Sequence, residues 1–442
     1  MPPQIATVVF ALGILGLFML DRDRKSQVSP ALWIPVAWVS IGASRMVSQW
    51  LGLAPILESP DQYLEGSPLD RLILSGLLVA GLLILAARGR RSGAFLRANG
   101  PLLLFFFFAA ISVLWSDYPF VAFKRWTKAL GNLVMVLVVL TEPNPSAAVK
   151  RLLARSAFLL IPLSVLLVKY YPQLGRAYHQ WTWEPFYHGV ATTKNGLGLI
   201  CLVFGLGSLW RFVEAFHSRE RPHLAGSLIA HGAVLAMALW LLEMANSVTA
   251  LACFLIGGGL MVVTNLAGLA RKSAAVHILV VGIISVSLFG LFLDPDAGLV
   301  QAAGRDSTLT GRTALWAQLL EMNIDPWFGT GFESFWLGER AEHFWGLYYW
   351  RPNQAHNGYL EVFLNLGWIG AALLGLVMAW GYRNVVGSLR RDPELGRLRL
   401  AFFVVAVLYN FTESAFKVMS PVWITFLLAI TLIPSPPRRE EG

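Results

Sequence analysis

The sequence predicts an all-α polytopic integral membrane protein of about 12–13 transmembrane helices, with one long outward loop that contains short helices. Three observations predict it. The 442-residue chain is 56% hydrophobic and only 14% charged, where a soluble domain carries roughly 25% charged residues. Apolar runs of about 17–22 residues recur along it, the length a helix needs to cross a bilayer. Mean hydropathy is +0.59, and no polar segment is long enough to form a separate soluble domain.

The runs fall, in order, near 5–20, 30–47, 70–87, 101–115, 129–141, 152–170, 195–212, 225–242, 247–265 and 275–293, then 358–382, 400–411 and 419–433. The first follows Met1-Pro2-Pro3-Gln4, which lacks the basic start of a cleaved signal peptide, and reads as a retained span. The short run at 129–141 can tilt or extend into its basic flank. The only cysteines, Cys201 and Cys253, sit within apolar runs, which supports neither a disulfide framework nor a cysteine zinc site. One integral domain results: a transmembrane bundle over 1–293, a large loop over 294–357, and C-terminal helices with a short tail over 358–442.

Orientation follows from the loops rich in Lys and Arg, which stay cytoplasmic. Arg22/Arg24/Lys25, Arg88/Arg90/Arg91/Arg97, Lys150/Arg151, Arg211/Arg219/Arg221, Arg271/Lys272, Arg383/Arg390/Arg391/Arg397/Arg399 and Arg438/Arg439 occupy every second loop. The 48–68, 171–194 and 294–357 loops then face outward. The net charge of +9 is explained in part by this topology, without a nucleic-acid partner. The remainder is not: Lys124, Arg125, Lys128, Lys169, Arg176 and Lys194 lie at outward ends, as do Arg305, Arg312, Arg340 and Arg351 of the long loop. Each can pair with a carboxylate such as Glu321, Glu333, Glu339 or Glu342, or with lipid phosphate. As a group they point to an anionic substrate, for which the arginine fork is suited.

Within the long loop, Thr310 can cap a helix in which Leu315, Trp316, Leu319, Leu320 and Met322 recur at helical spacing. Asn323 and Asp325-Pro326 stop it. Arg312 is expected in its first turn, where free N–H groups and the dipole favour an anion. Pro326–Phe332 is a glycine-punctuated turn, and Trp336, Phe344, Trp345, Tyr348, Tyr349 and Trp350 form an aromatic field, either interfacial or stacked on sugar rings. Trp181, Trp183, Phe186 and Tyr187 raise the same choice. The loop closes on His356 and Asn357. Asn357 can cap the following helix. His356, as an imidazole, suits a general base for a hydroxyl. Glu361 and Glu413 are costly in hydrocarbon and should face a cavity or a partner.

Asp294-Pro295-Asp296 has the spacing of a two-aspartate metal motif, although a turn leaving the membrane explains it as well. His179, His188, His343 and His356 lack metal-ligand spacing, and phosphate-binding loops and nucleophile elbows are absent from the sequence. ATP-driven transport is not expected.

The order Gly311-Arg312-Thr313-Ala314-Leu315-Trp316, Asp325-Pro326-Trp327-Phe328-Gly329-Thr330-Gly331, then Ala355-His356-Asn357-Gly358-Tyr359-Leu360-Glu361 and Leu366-Gly367-Trp368-Ile369-Gly370, resembles the O-antigen ligase and polymerase superfamily. Thr192–Gly198, with Lys194-Asn195, resembles its exopolysaccharide-production members, and Asn246–Leu251 resembles a small-polar span start of the family. The resemblance covers roughly 190–370. It implies a multi-pass enzyme of the bacterial inner membrane, active at the periplasmic face, that needs no metal or other cofactor. The implied donor is a polyprenyl-pyrophosphate-linked glycan, the acceptor a glycan or lipid hydroxyl, and other polysaccharide assembly proteins are partners. His356 matches the family's loop histidine and Arg312 its pyrophosphate arginine, both catalytic. Lys194 is carried over more weakly, and Arg125, Arg351, Asn357 and Glu361 are added as substrate-binding residues from their placement. The rivals are a flippase or transporter, which would set its charges near the midplane, and a non-catalytic assembly partner.

Overall fold

A computed structural model describes residues 1–22, 28–53, 66–178, 183–217, 224–266, 273–292 and 308–434. Several residues singled out above lie outside them: Arg24, Lys25, His179, Trp181, Arg219, Arg221, Arg271, Lys272, Arg305, Arg438, Arg439 and the Asp294-Pro295-Asp296 segment.

The principal helices are α1 Pro3–Leu20, α2 Trp33–Ala43, α3 Pro68–Ala87, α4 Gly89–Ala98, α5 Gly100–Ile111, α6 Pro119–Leu140, α7 Pro145–Tyr170 and α8 Lys194–His217. They continue with α9 Leu224–Ala245, α10 Val248–Leu266, α11 Ser273–Phe292, α12 Thr308–Glu321, α13 Gly338–Leu347, α14 Gly358–Arg391, α15 Pro393–Thr412 and α16 Pro421–Ile430. A two-stranded antiparallel ribbon, Arg176–Tyr178 with Pro185–Tyr187, lies in the 171–194 loop.

Every apolar run of the sequence forms a helix, and the chain is an all-α polytopic membrane protein. Among the described residues, not every one of these helices is long and apolar enough to cross a bilayer by itself. Among the described residues eight helices are long and apolar enough to cross a bilayer, or nine if α4 and the continuous Gly100–Trp115 segment, bent by 86°, form one span. The difference from thirteen has local causes. Lys124, Arg125 and Lys128 interrupt the first half of α6, which extends into its basic flank. The α16 helix has only 10 residues, all buried, so it fills the bundle interior rather than facing lipid. Helices α7 and α15 form the central core, with 78% and 89% of their apolar windows buried.

Helix α15 defines two ends of the bundle. It carries Glu394 in its first turn and Glu413 at its C-cap, and 20 residues of helix span roughly 30 Å. At the Glu394 end, Lys150 bonds Glu214 at 2.6 Å and also pairs with Glu394, Arg151 and Arg211 approach Asp21 at 3.5 and 3.3 Å, and Arg88 pairs with Glu142. Burial opposes ionisation of Asp21, but His231, Arg211 and Arg151 outweigh it and hold the carboxyl at about 2.

Residues 308–364 cover the other end with a small core of their own. Leu315, Leu319, Phe335, Phe344, Ala355 and Leu364 are wholly buried in it. The helical spacing anticipated in this loop is real, with one correction: Leu320 is 61% exposed and lies on the outer face of α12. The glycine-punctuated turn locks this cover onto α14. Gly367 has φ +62 and breaks that helix, freeing backbone groups that need partners. The turn supplies them: Trp368 N–H donates to Pro326 O at 2.8 Å, Ile369 N–H to Trp327 O at 3.2 Å, and Thr330 N–H to Leu364 O at 3.1 Å. Asp325 Oδ1 shapes the turn by accepting from the Trp327 and Phe328 amides at 2.8 and 3.0 Å. A Cβ at Gly367 would stand 2.2 Å from the Trp327 backbone, so both the fit and the positive φ require glycine.

Candidate functional site

The covered end brings together side chains from four separate stretches of sequence. Glu413, at the C-terminus of α15, is their centre and is 6% exposed. Its Oε1 accepts from Arg312 Nη2 at 3.0 Å and from Asn195 Nδ2 at 3.0 Å. Its Oε2 lies 3.1 Å from His356 Nδ1. Burial works against ionisation here too, but the His356 hydrogen bond and the Arg312 charge prevail, and Glu413 sits below the ordinary glutamate range.

An ionised carboxylate only accepts hydrogen bonds. His356 therefore presents Nδ1–H to Glu413 and keeps the Nε2 lone pair for another proton. Gln354 Nε2, at 3.4 Å from the same Nδ1, is the more distant neighbour. The His356 backbone has φ +52, a left-handed conformation that costs of order 1 kcal/mol outside glycine and concentrates at functional positions. Two contacts hold it there. The Asn357 amide donates to Ser414 Oγ at 3.0 Å, and Asn357 Oδ1 caps α14 by accepting from Tyr359 and Leu360 N–H, each at 3.0 Å.

Arg312 is not at the start of its helix as expected. The α12 helix begins at Thr308, so the capping position assigned to Thr310 lies inside it and Arg312 stands in the second turn. Its Nη1 donates to Thr412 O at the C-terminus of α15, where the helix dipole favours a cation. The carboxylate pairing considered for this arginine is present, through Glu413 rather than a loop glutamate. The guanidinium has five N–H donors, so these two contacts leave others directed elsewhere.

Lys194 is the first residue of α8 and adjoins Asn195. Arg351 is on the His356 loop, its guanidinium 5.4 Å from the Trp345 ring. Arg125 stands apart on α6 and donates to Glu333 O. Glu361 finds both a partner and a cavity. It accepts from Trp336 Nε1 at 2.9 Å and from the Ala355 amide, bracing the residue before His356. It also lines a pocket with Phe332, Phe416, Lys417 and Trp423. That cavity borders Glu361, whereas Arg312, His356 and Glu413 lie outside its lining.

The aromatic field divides. Phe344 is fully buried, while Tyr349, Trp350 and Trp327 are 83%, 40% and 62% exposed, and Trp350 lies 5.9 Å from the His356 ring. No three His, Cys, Asp or Glu side chains cluster as metal ligands among the described residues.

Two contributors were underweighted by sequence reasoning. Glu413 was marked only as a costly carboxylate, and Asn195 only as part of a motif. The signal for both was polarity at the end of an apolar helix.

The O-antigen ligase family model matches residues 232–375, a stretch that contains Arg312, His356 and Glu361. The exopolysaccharide production protein ExoQ of Rhizobium meliloti (strain 1021) is 26% identical over 352 residues, covering 76% of this chain and 78% of that protein. With its motifs in the family's order, this multi-helix membrane chain is similar to the O-antigen ligase superfamily over that stretch.

Proposed function

We propose that the protein is a glycosyltransferase of polysaccharide assembly that moves a glycan from a polyprenyl-pyrophosphate carrier to a hydroxyl acceptor at the periplasmic face of the inner membrane. The observation that carries this reading is the His356–Glu413–Arg312 junction, in which one carboxylate orients a histidine and an arginine at the covered end of the bundle.

The step balances as a displacement. The acceptor oxygen forms a bond to the anomeric carbon, and the bond from that carbon to the pyrophosphate oxygen breaks with its electron pair. The hydroxyl proton passes to His356 Nε2. Glu413 holds the imidazole in the tautomer that can accept it and stabilises the imidazolium that follows, worth about 10²–10⁴ in rate for such a base. Negative charge grows on the departing pyrophosphate, where the remaining donors of Arg312, with Lys194 and Arg351, stabilise it. Asn357 and Glu361 fix the His356 loop from either side, and exposed Trp350 and Tyr349 offer faces for sugar rings. Catalysis is assigned to these side chains without a metal.

The test supplies purified protein with a lipid-linked repeat unit. Product from wild type and none from His356→Ala supports the reading. Wild-type polysaccharide from a stably expressed His356→Ala/Arg312→Ala double variant overturns it. Movement of intact lipid-linked glycan across vesicles without transfer would favour the flippase instead.

A further inference from the structure

The 188–191 turn joins the two-stranded ribbon to α8 and is tied into its neighbours on several sides. His188 follows the second strand and is buried. The His188 and Gly189 amides donate to Gly175 O at 3.0 and 3.1 Å, and the Ala191 amide closes the turn on His188 O at 2.9 Å. Gly189 has φ +54, and a Cβ there would stand 2.8 Å from the Ser164 side chain of α7. Val190 and Ala191 are buried. A Cβ at Gly196, in the first turn of α8, would stand 3.0 Å from that of Ala191, so the start of this helix seats directly on the turn.

Arg45, from the segment between α2 and α3, holds the turn in place. Its Nη2 donates to Leu174 O and, at 3.1 Å, to Gly189 O, and it lies 3.0 Å from His188 Nδ1. The same Nδ1 lies 3.0 Å from Ala191 O. One nitrogen cannot serve both neighbours. A guanidinium only donates, so it needs the lone pair of Nδ1; a carbonyl only accepts, so it needs a proton there. Neutral His188 with its proton on Nε2 satisfies Arg45 and leaves lone pairs facing each other at Ala191. Protonated His188 satisfies Ala191 and sets two positive charges 3.0 Å apart. The ring therefore has two incompatible arrangements, and protonation chooses between them.

The surroundings set the direction of that choice. Arg176 of the ribbon and Lys169 of α7 are turned to the Tyr187 and Trp240 rings. Glu184 beside the ribbon, Lys194 of α8 and Glu243 of α9 are the other charged groups at these ends. Among the described residues the ion-paired histidines are His231 and His356. Burial and the Arg45 charge hold His188 below the ordinary histidine value, with backbone hydrogen bonds opposing them. The Arg45 arrangement is therefore complete above the ordinary value and is lost as pH falls through the lower, folded one.

We propose that His188 is a positioning residue for the Asn195–Glu413 contact: its protonation separates it from Arg45 and loosens the turn on which α8 starts. Asn195 is the second residue of that helix and donates to Glu413 at 3.0 Å. Loosening thus reaches the carboxylate that orients His356 and Arg312. The effect on transfer rests on the function proposed above; the opening of the turn does not.

The test is hydrogen–deuterium exchange, read by mass spectrometry and corrected for intrinsic rates, on the full chain in phosphatidylcholine nanodiscs at about pH 8 and about pH 4.5, either side of the histidine range. In wild type the 188–197 amides are expected to lose protection about tenfold at the lower pH, the scale of one charge-assisted hydrogen bond. His188→Gln accepts from Arg45 but does not titrate, and should stay protected at both. Arg45→Ala should be open at both, and His356→Ala should follow wild type. Equal protection of wild type at the two pH values overturns the proposal, as does a pH dependence that persists in His188→Gln. The consequence for the site is read from the acid limb of the transfer rate, with a slope expected near about 2 in wild type and about 1 in His188→Gln. Equal slopes overturn the positioning role. Protection is measured without turnover, so failure of the transferase reading leaves the exchange result standing.

Discussion

The two ends of the bundle hold positive charge in different ways. At the Asp21 end, cations meet carboxylates: Arg88 with Glu142, Lys150 with Glu214 and Glu394, Arg211 with both Asp21 and Glu214. At the His356 end, several cations are held by neutral groups. Arg45 donates to Leu174 O and Gly189 O and sits 4.9 Å from the Trp50 ring. Arg176 donates to Val168 O at 2.8 Å and lies 5.4 Å from the Tyr187 ring, and Lys169 lies 4.9 Å from that of Trp240. A carbonyl or a ring fixes the geometry of a cation without cancelling its charge. The first end is therefore built largely on ion pairs, whereas at the second, carbonyls and rings hold these cations beside the Arg312–Glu413 and Arg340–Asp117 pairs.

The comparison can be broken or sharpened by substitution. The largest effect is expected for His356→Ala, a loss of about 10²–10⁴ in transfer rate, measured with lipid-linked glycan in membranes. Glu413→Gln preserves the shape but removes the charge, and a loss of about 10–10² is expected, the size of one oriented charged hydrogen bond. Its rate-against-pH profile should move with it; a profile identical to wild type would reduce Glu413 to packing. Next comes Gly367→Ala, expected to destabilise by about 1–3 kcal/mol through backbone strain and contact with Trp327, read as a fall in melting temperature.

At the Asp21 end the expected effect is on stability alone. The Asp21 carboxyl is depressed to about 2 from 3.8. Its contribution, about 2 kcal/mol by linkage, is fully present above pH 4 and declines as pH falls through the folded value. Asp21→Asn should therefore melt earlier near neutral pH, with a difference from wild type that narrows toward pH 2. The transfer rate per folded molecule should change less than about twofold, within the scatter of a site remote from the chemistry. The smallest effect is expected from chelation: EDTA should leave the transfer rate unchanged, and a loss would direct attention to Asp294 and Asp296.

The helical class and the motif that carries His356 were legible because hydropathy, basic-loop alternation and motif order are local properties of the chain. So was the Asn357 cap, which needs only three consecutive residues. The Glu413 junction was not, because Asn195 and Glu413 meet across 218 residues, and neighbouring sequence does not encode such a pairing. The start of α12 was misjudged because Thr310 has capping chemistry, yet the helix begins two residues earlier. The break at Gly367 was hidden for a related reason: a glycine in an apolar helix reads as merely tolerated until the turn that occupies its opening is seen. Which short runs cross the bilayer was not legible, because an apolar run as short as α16 looks the same whether lipid or protein surrounds it.

The break at Gly367 also has a consequence for how such proteins can be recombined. Residues 326–330 and 364–369 form a mortise and tenon, each half shaped by the other. A graft that carries the 308–357 cover from a relative onto this bundle without 364–369 would leave α14 with open amides and the turn with nothing to enter. Moving the two segments together should transfer the cover as a working piece. The 308–357 cover would then be exchanged as a joint rather than as a loop.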